Sequence, residues 1–165
     1  MQIARDDVRF DKLLNDIKEE YEAQAAEKDL KLEFNIPPKL PTLQADRSKL
    51  IVAVQNLVAN ALKYTSDGGR ISISVEVHDE ELLLEVADTG IGIAPEDQMR
   101  IFEKFYRAAD KRISGITGSG LGLALAREIV RLHGGDIEIE SQLDQGSTFT
   151  ITLPITNSHE TTATE

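Results

Sequence analysis

The sequence contains no cysteine, which excludes disulfide bonds, thiol catalysis and cysteine-based zinc sites and leaves the redox compartment undecided. It also lacks an apolar stretch long enough to cross a bilayer, and no signal-peptide pattern opens it. Positive charge is scarce, with 18 lysines and arginines against 29 aspartates and glutamates and a net charge of -11. We therefore expect a soluble, cytoplasmic piece that binds neither nucleic acid nor a membrane, in which local chemistry must hold any phosphate-bearing ligand.

The 165 residues fit one domain in which helical and strand patterns intermingle. Helical spacing of apolar residues predicts helices over Asp6 to Glu27, over Arg47 to about Thr65 with Asp46 as N-cap, over a turn or two after Pro95, and over 121–133. Alternation predicts strands at 31–36, 71–77 and 82–86, and a last hairpin over 136–154. Strands that come in hairpins with helices between them favour an α+β two-layer sandwich.

An aspartate ends one of these strands. "DTGIGI" begins at Asp88, and the period of two places this residue on the inward face with Leu84 and Val86. Asp-Thr-Gly is also the motif of one half of an aspartic protease, so the motif alone leaves two interpretations open. Ser147 is in phase with Phe149 and so faces the same layer. A carboxylate and a hydroxyl there could read a purine edge, and would favour adenine because guanine would set a carbonyl oxygen against the aspartate.

Two asparagines and a lysine share one stripe of the helix over 47–65. Asn56, Asn60 and Lys63 are spaced at three and four residues and border the apolar stripe. Asparagine beside a core is costly unless it is hydrogen bonded, and for a single asparagine the simple interpretation is that it bonds nearby backbone. Carboxamide oxygens also suit Mg²⁺, and an ammonium group suits phosphate oxygens. The shared stripe therefore indicates a site for a metal-bound phosphate.

A glycine-rich stretch, "GITGSGLGLAL" at 115–125, precedes the helix over 121–133. Such a stretch is either a flexible connection or a loop whose backbone N–H groups approach a phosphate at a helix N-terminus. No Lys-Ser or Lys-Thr follows the glycines, and no strand directly precedes them, so neither a Walker loop nor a dinucleotide fingerprint is present. Lys104, Arg107, Lys111 and Arg112 cluster just before it, as a polyphosphate ligand would favour.

Five motifs in this order resemble the ATP-binding catalytic domain of sensor histidine kinases, in the GHKL superfamily that also includes type II topoisomerases, mismatch-repair ATPases and an ATP-driven chaperone. Between about Leu43 and Pro154, "NLVANALKYT" resembles the N box, "DTGIGI" the G1 box, "FEKFYR" the F box, "GSGLGLAL" the G2 box and "GST" the last glycine box. The resemblance implies a Bergerat-type fold, with a mixed, mostly antiparallel sheet of about five strands packed under three helices.

The resemblance also implies roles for single residues in binding Mg-ATP. Asn60 would coordinate Mg²⁺ with help from Asn56, Lys63 would contact phosphate, and Arg107 would approach the terminal phosphate. Asp88 would accept a hydrogen bond from the adenine amine, and Phe102 and Phe105 would anchor the lid over the nucleotide. The full set expected around the nucleotide is Tyr64, Asp88, Gly90, Gly92, Ile93, Phe102, Phe105, Gly118, Ser119, Gly120, Leu121, Gly122, Leu123 and Ser147.

The residue at position 56 differs from the one found in the ATP-hydrolysing members of the superfamily. Members that hydrolyse ATP carry a glutamate one helical turn before the metal-binding asparagine, where this chain has Asn56, and an amide cannot take a proton. The resemblance therefore implies a protein-histidine kinase that passes the γ-phosphate to a histidine on a separate dimerisation and phosphoacceptor domain, and indirectly serves a response regulator. The alternatives are an ATP-hydrolysing clamp, an anti-sigma-type serine kinase and a non-catalytic nucleotide sensor.

The three histidines do not supply the phosphoacceptor. His78 is on a polar strand face, His133 is at a helix C-terminus, where a cation is favoured, and His159 is in a polar tail. We therefore expect residues 1–28 to be a helix joining a missing domain, 29–155 to be the ATP-binding domain and 156–165 to be a disordered tail. We expect a monomer that is inactive as an autokinase alone, from a protein that can be anchored to a membrane with this domain on the cytoplasmic side.

Overall fold

The structure, a computed structural model, describes residues 1–106 and 120–155. In chain order these hold β1 (Asp6–Arg9), α1 (Phe10–Glu27), β2 (Lys31–Asn35), β3 (Thr42–Ala45), α2 (Arg47–Tyr64), β4 (Arg70–His78), β5 (Glu81–Asp88), α3 (Pro95–Gln98), α4 (Gly122–Leu132), β6 (Asp136–Gln142) and β7 (Gly146–Pro154). Arg107, Lys111, Arg112, Gly118, Ser119, His159 and the predicted tail lie outside the described residues. None of the helices in the described part has the length and apolar character needed to cross a membrane.

Five strands form the main sheet in the order β2-β4-β5-β7-β6. β2 pairs with β4 in parallel, and the other three pairings are antiparallel. Alternate residues of the central strands are buried with apolar side chains of α1, α2 and α4 in a single core cluster. The predicted α+β fold with a mixed, mostly antiparallel sheet of five strands and three longer helices is confirmed.

A second, two-stranded sheet was not predicted. β1 pairs with β3 in antiparallel fashion, with Asp6 opposite Ala45 and Arg9 opposite Thr42. The predicted start of the first helix at Asp6 is therefore wrong, because residues 6–9 are extended and the helix begins at Phe10. Val8, which is 2% exposed, is buried by this pairing, and four residues are too few for an alternating pattern to reveal a strand.

The first helix packs into the same core as the main sheet. Its predicted apolar stripe is confirmed, since Phe10, Leu13, Leu14, Ile17 and Tyr21 are all buried. At its C-terminal end, the Lys28 ammonium donates to the carbonyl oxygens of Leu62 and Thr65, the latter at 3.0 Å. A cation there satisfies carbonyls that the end of α2 leaves unpaired. The division of the chain at residue 28, and the join to a missing domain, stay predictions.

The second helix begins and ends much as predicted. Asp46 is its N-cap, and its carboxylate accepts a hydrogen bond from the Lys49 amide at 3.2 Å. Beyond the last helical residue, Tyr64, the chain turns through Gly68, whose φ of +86° is the left-handed conformation expected of a glycine in "SDGG". The stripe of Asn56, Asn60 and Lys63 therefore lies in the C-terminal half of α2.

His133 differs from the prediction of a cation at a helix C-terminus. The side chain is buried, at 3% exposed, and its Nε2 accepts the Asp46 amide hydrogen at 2.9 Å. Its Nδ1 is therefore the protonated nitrogen and donates to the Ile129 carbonyl at 2.8 Å. Burial lowers the pKa of His133, so the ring is neutral, and the prediction of a cation is wrong. The ring connects the end of α4 to the start of α2.

A His133→Gln variant is expected to remove a pH dependence of stability. The folded pKa of His133 is below the value of 6.5 that applies to the unfolded chain, so the unfolded state takes up a proton first as the pH falls. The wild type should therefore lose about 1 kcal/mol of unfolding free energy relative to the variant between about pH 7.5 and 5.5. Urea unfolding at both pH values measures this difference, and other titrating groups cancel because both proteins share them. A difference that stays constant with pH would contradict a neutral, buried His133.

Candidate functional site

Asp88 and Ser147 lie side by side at one end of the main sheet. The register of β5 and β7 makes them direct partners, and Ile71 of β4 is opposite Asp88 on the other side. Ser147 is 8% exposed, while Asp88 is half-buried. Phe149, the next residue of β7 on that face, is buried. The two polar side chains thus lie on the inward face, as the alternation predicted.

The Asp88 carboxylate has hydrogen-bond donors but no cationic partner in the described part of the chain. Burial raises the pKa of Asp88, and hydrogen bonds from the amides of Gly90 and Ser147 pull it back down. The contact with Gly90 joins its nitrogen to Asp88 Oδ1 at 2.9 Å. A partly buried carboxylate without a countercharge is stabilised by further hydrogen-bond donors, and this is the environment of many ligand-binding acids.

The loop after Asp88 is held between the end of α2 and the β6–β7 hairpin. The Ile91 amide donates to the Tyr64 carbonyl at 3.1 Å, and the Ile91 carbonyl accepts from the Asp144 amide at 2.7 Å. A Cβ at Gly90 would lie 2.3 Å from the Tyr64 carbonyl oxygen, and one at Gly92 would lie 2.1 Å from the Gln142 carbonyl oxygen. Backbone packs directly against backbone at both glycines, so both positions require the absence of a side chain.

Gly92→Ala is expected to destabilise the protein far more than Gly68→Ala. Both glycines have positive φ, +71° and +86°, so both substitutions incur the left-handed backbone cost of about 1–2 kcal/mol. Nothing lies within 4 Å of a Cβ at Gly68, whereas at Gly92 a backbone carbonyl must move. We expect an additional loss of about 2 kcal/mol or more for Gly92→Ala, measured by urea unfolding. Equal losses would show that the loop can yield and is not held as described.

The two asparagines of the stripe on α2 differ in their hydrogen bonding. The Asn56 Nδ2 donates to the Val52 carbonyl at 3.0 Å, which is the backbone bond expected of a structural asparagine. Its Oδ1 lies 2.8 Å from the position that a Gly122 Cβ would take, so it faces the first residue of α4. Asn60 is half-buried, and within residues 1–106 and 120–155 its side chain makes no hydrogen bond. Lys63 is exposed.

Asn60 fits a magnesium ion that is shared with a phosphate. Its carboxamide oxygen is a hard ligand with no partner among the described residues. No group of three His, Cys, Asp or Glu side chains that could hold a metal occurs in that part of the chain. Mg²⁺ commonly takes one or two protein ligands and completes its coordination with phosphate oxygens and water. A single asparagine at this place is therefore sufficient if a phosphate ligand is present.

The two phenylalanines of "FEKFYR" differ in their contacts. The Phe102 ring packs edge-on against Phe149 with centroids 6.3 Å apart, and the Arg127 guanidinium lies 4.6 Å above its centroid. The Phe105 side chain is 71% exposed, and its amide donates to the Gly120 carbonyl at 2.9 Å. Phe102 thus fixes this segment to the core, whereas Phe105 acts through its backbone.

The start of α4 faces the stripe on α2. Gly122 is the first residue of the helix and contacts Asn56. Leu121 precedes it as the N-cap, and Leu123 packs against the core. Gly120 has a φ of +77°. The N-terminus of an eleven-residue helix carries a positive partial charge, which here lies next to Asn56. This is the part of the predicted glycine-rich phosphate loop that the structure describes.

Several residues around the site were missed from the sequence. Ser141 and Gln98 hold the loop that follows Asp88, as the Ile93 amide donates to Ser141 Oγ at 2.8 Å and Gln98 Nε2 donates to the Ile93 carbonyl at 2.7 Å. Asp97, which is buried, accepts a hydrogen bond from the Tyr106 hydroxyl, and this bond raises the pKa of Tyr106. The sequence could have indicated the inward position of Ser141, since this residue is in phase with Ile137 and Ile139 on β6. No sequence pattern indicated the positions of Gln98 and Asp97, because a single short helical turn is too short to show a period.

A comparison with protein families decides among the interpretations of this site. The family of histidine kinase-, DNA gyrase B-, and HSP90-like ATPases matches residues 45–157, which contain Asp88, Asn60 and the start of α4. The chain belongs to this family. The interpretation of "DTGIGI" as half of an aspartic protease site is thereby excluded.

Within this family, the chain is similar to sensory kinases. The chain is 41% identical over 143 residues to the sensor histidine kinase RppB of Synechocystis sp., covering 87% of this chain and 32% of that protein. It is 40% identical over 157 residues to the adaptive-response sensory kinase SasA of Crocosphaera subtropica, covering 94% of this chain and 40% of that protein. The chain thus spans about a third of the length of the curated relatives that it matches. The resemblance to the catalytic domain of sensor histidine kinases is confirmed.

The fold of the chain is also similar to that of a solved kinase structure. Full-length ShkA in complex with AMPPNP superimposes with a TM-score of 0.84 at 29% sequence identity, covering 96% of this chain and 32% of that one. The site described above therefore occurs in a fold that a related kinase uses.

Proposed function

We propose that this chain is the catalytic part of a protein-histidine kinase. It binds Mg-ATP and presents the γ-phosphate to a histidine on a separate dimerisation and phosphoacceptor domain, from which a response regulator takes the phosphate. The observation that carries the proposal is the half-buried Asp88 carboxylate, which has no countercharge in the described part of the chain and lies beside the buried Ser147. The relatives named sensor histidine kinases support the reaction, and the AMPPNP bound to ShkA supports the nucleotide.

The proposed base contact follows from the charge of Asp88. An ionised carboxylate can only accept hydrogen bonds, and the adenine 6-amino group can only donate them. Guanine would place a carbonyl oxygen at the same position, so two acceptors would face each other across a partly dry site. Adenine is therefore the purine that this carboxylate selects.

The proposed phosphate contacts come from α2 and α4. Asn60 would hold Mg²⁺ through its carboxamide oxygen, and the ion would neutralise charge on the phosphate oxygens and orient them. Lys63 lies one turn further along α2 and would contact a phosphate oxygen as an exposed ammonium group. The helix N-terminus at Gly122 adds a fixed positive partial charge opposite Asn56. These groups position the phosphates and offset their charge, which is the main catalytic contribution in phosphoryl transfer.

Transfer to an acceptor is favoured over hydrolysis because Asn56 is not a base. Its amide nitrogen is already bound to the Val52 carbonyl, and a carboxamide cannot accept the proton of an attacking water. Water in this site would remain a poor nucleophile. The base that activates the acceptor histidine would come from the separate domain.

The experiment that tests the proposal follows γ-labelled Mg-ATP with the purified chain, alone and with added histidine-bearing helical domains. With the chain alone we expect nucleotide binding, little free phosphate and no labelled protein. With a suitable acceptor domain we expect label on that domain, lost in acid and retained in base as for phosphohistidine. Asn60→Ala, assayed in parallel, should abolish this labelling.

Two results would contradict the proposal. Sustained release of phosphate from the chain alone would mean that a base activates water, and the ATP-hydrolysing clamp would become the better assignment. Label that survives acid on an added protein would indicate transfer to a hydroxyl group, as in an anti-sigma-type serine kinase.

A further inference from the structure

Helix α4 touches α2 at both of its ends. At the N-terminal end of α4, a Cβ at Gly122 would lie 2.8 Å from the Asn56 Oδ1 atom. At the C-terminal end, His133 Nε2 accepts the Asp46 amide hydrogen at 2.9 Å. The end of α4 therefore lies against the start of α2, and the start of α4 lies against the middle of α2, so the two helices run antiparallel.

Between these two contacts the helices are held by apolar packing. Ala53 and Leu57 of α2 and Ala126 and Val130 of α4 are buried in the same core cluster. Apolar packing has no preferred direction, so packed helices can slide a short distance along each other. A hydrogen bond is directional, and the bond between His133 and the Asp46 amide therefore fixes where α4 lies along α2.

Both partners of this hydrogen bond are themselves held in place. The other ring nitrogen of His133, Nδ1, donates to the Ile129 carbonyl on the last turn of α4 at 2.8 Å, which fixes the orientation of the ring. The Asp46 carboxylate accepts the Lys49 amide hydrogen at the start of α2 and the Ala4 amide hydrogen at 2.9 Å. The bond thus joins two fixed groups, and a change in it would be transmitted to α4 as a whole.

We propose that His133 is a positioning residue for the phosphates, because its bond to the Asp46 amide holds the N-terminus of α4 at Gly122 opposite Asn56. The inference rests on the phosphate contacts proposed for α2 and α4, and His133 acts in it only through α4. The field of a helix N-terminus falls off within one turn, and a displacement of about 1 Å can remove much of a positioned interaction. The proposed base contact is built by the main sheet. Loss of the bond should therefore weaken the binding of the phosphates and leave the binding of the base unchanged.

Two substitutions separate the two hydrogen bonds of the ring. An asparagine amide reaches about as far from the backbone as Nδ1 of histidine, and a glutamine amide reaches about as far as Nε2. His133→Asn can keep the bond to the Ile129 carbonyl but loses the one to the Asp46 amide. His133→Gln can accept the Asp46 amide hydrogen through its carbonyl oxygen and so keeps the connection between the helices.

The experiment measures the affinity of the full chain for Mg-ATP by isothermal titration and for adenosine by titration of the ¹⁵N-labelled chain. For His133→Asn we expect the affinity for Mg-ATP to fall about tenfold and that for adenosine to change by less than about twofold. His133→Gln should retain the wild-type affinity for Mg-ATP to within about twofold. Glu128→Gln, an exposed change on the same helix, should alter neither affinity.

The outcomes separate this inference from the proposed function. If the wild type binds Mg-ATP more tightly than adenosine and His133→Asn does so equally well, the phosphate site stands and the role of His133 is overturned. The role is also overturned if His133→Asn weakens both ligands equally, or if His133→Gln loses as much affinity for Mg-ATP as His133→Asn. If the wild type binds neither ligand, or binds Mg-ATP no more tightly than adenosine, the phosphate site and the role of His133 are overturned together.

Thermal unfolding checks that each variant is folded at the temperature of the titrations. His133→Phe fills the space of the ring without any polar atom, and it replaces His133→Asn if the asparagine variant does not fold. The phenylalanine variant is then expected to show the same loss for Mg-ATP and the same unchanged affinity for adenosine.

Discussion

Replacement of Asp88 by asparagine is expected to lower the affinity for Mg-ATP by about 10- to 150-fold, because a hydrogen bond to a charged acceptor contributes about 1.5–3 kcal/mol. Asparagine keeps the size of the side chain and can still accept the Gly90 amide hydrogen through its oxygen. It also presents an amide N–H₂ group where the adenine amine would donate, so donors would oppose each other. Isothermal titration of both proteins measures the change.

The same variant should be at least as stable as the wild type without nucleotide. Burial raises the pKa of Asp88 in the folded protein above its unfolded value, so at neutral pH the ionised carboxylate costs folding free energy. That cost disappears as the pH falls through the raised folded pKa, and in Asp88→Asn it is absent at all pH values. We therefore expect the variant to match or exceed the wild type in melting temperature at neutral pH, as is common when a functional polar group is removed.

A matched control keeps this result specific. Glu85→Gln removes a carboxylate from the exposed face of the same strand and should change neither affinity nor stability appreciably. Tight ATP binding by Asp88→Asn would contradict the assignment of the adenine contact. A large loss of stability in that variant would show instead that Asp88 is a structural residue.

Replacement of Asn60 by alanine is expected to reduce phosphoryl transfer to an acceptor histidine by about 100- to 1,000-fold, the range for loss of one group that stabilises developing charge. The physical reason is that Asn60 would be the protein ligand that places Mg²⁺ on the phosphates. ATP affinity measured in Mg²⁺ should fall to the level that the wild type shows in a chelator, since the ion would no longer link protein and nucleotide. Labelling assays and titrations with and without Mg²⁺ measure both effects.

Two variants on the same helix serve as comparisons for Asn60→Ala. Asn60→Asp keeps an oxygen ligand and should retain a dependence of binding on Mg²⁺. Gln55→Ala removes a side chain whose amide bonds Glu20 on α1, away from the site, and should leave nucleotide binding unchanged. If Asn60→Ala transferred phosphate at the wild-type rate, Asn60 would not be the metal ligand.

The alternation of residues in the sequence predicted the part of the site that the main sheet builds. Asp88 and Ser147 end long strands whose inward residues are apolar, so the period of two placed both on the inner face. Helical spacing similarly placed Asn56 and Asn60 on one stripe. These predictions depend only on the phase of residues within one element, which a single sequence contains.

Contacts between elements could not be predicted in this way. The pairing of β1 with β3 joins two strands of four residues from distant parts of the chain, and neither is long enough to show a period. The neutral state of His133 depends on the Asp46 amide, 87 positions away. Likewise, Gln98 reaches the Ile93 carbonyl and β6 only because the chain folds back on itself. Such roles follow from tertiary packing and not from local pattern.

The most direct test of the adenine-nucleotide site is a titration of the ¹⁵N-labelled chain with Mg-ATP and with Mg-GTP, monitored by the backbone amide signals. We expect ATP to shift the signals of Gly90, Ile93 and Ser147 first and most strongly, and to shift those of Asn60 and Gly122 only when Mg²⁺ is present. GTP should leave the first three signals unshifted at the same concentration. Strong shifts at these amides with both nucleotides, or none with ATP, would mean that Asp88 and Ser147 do not form an adenine-selective site.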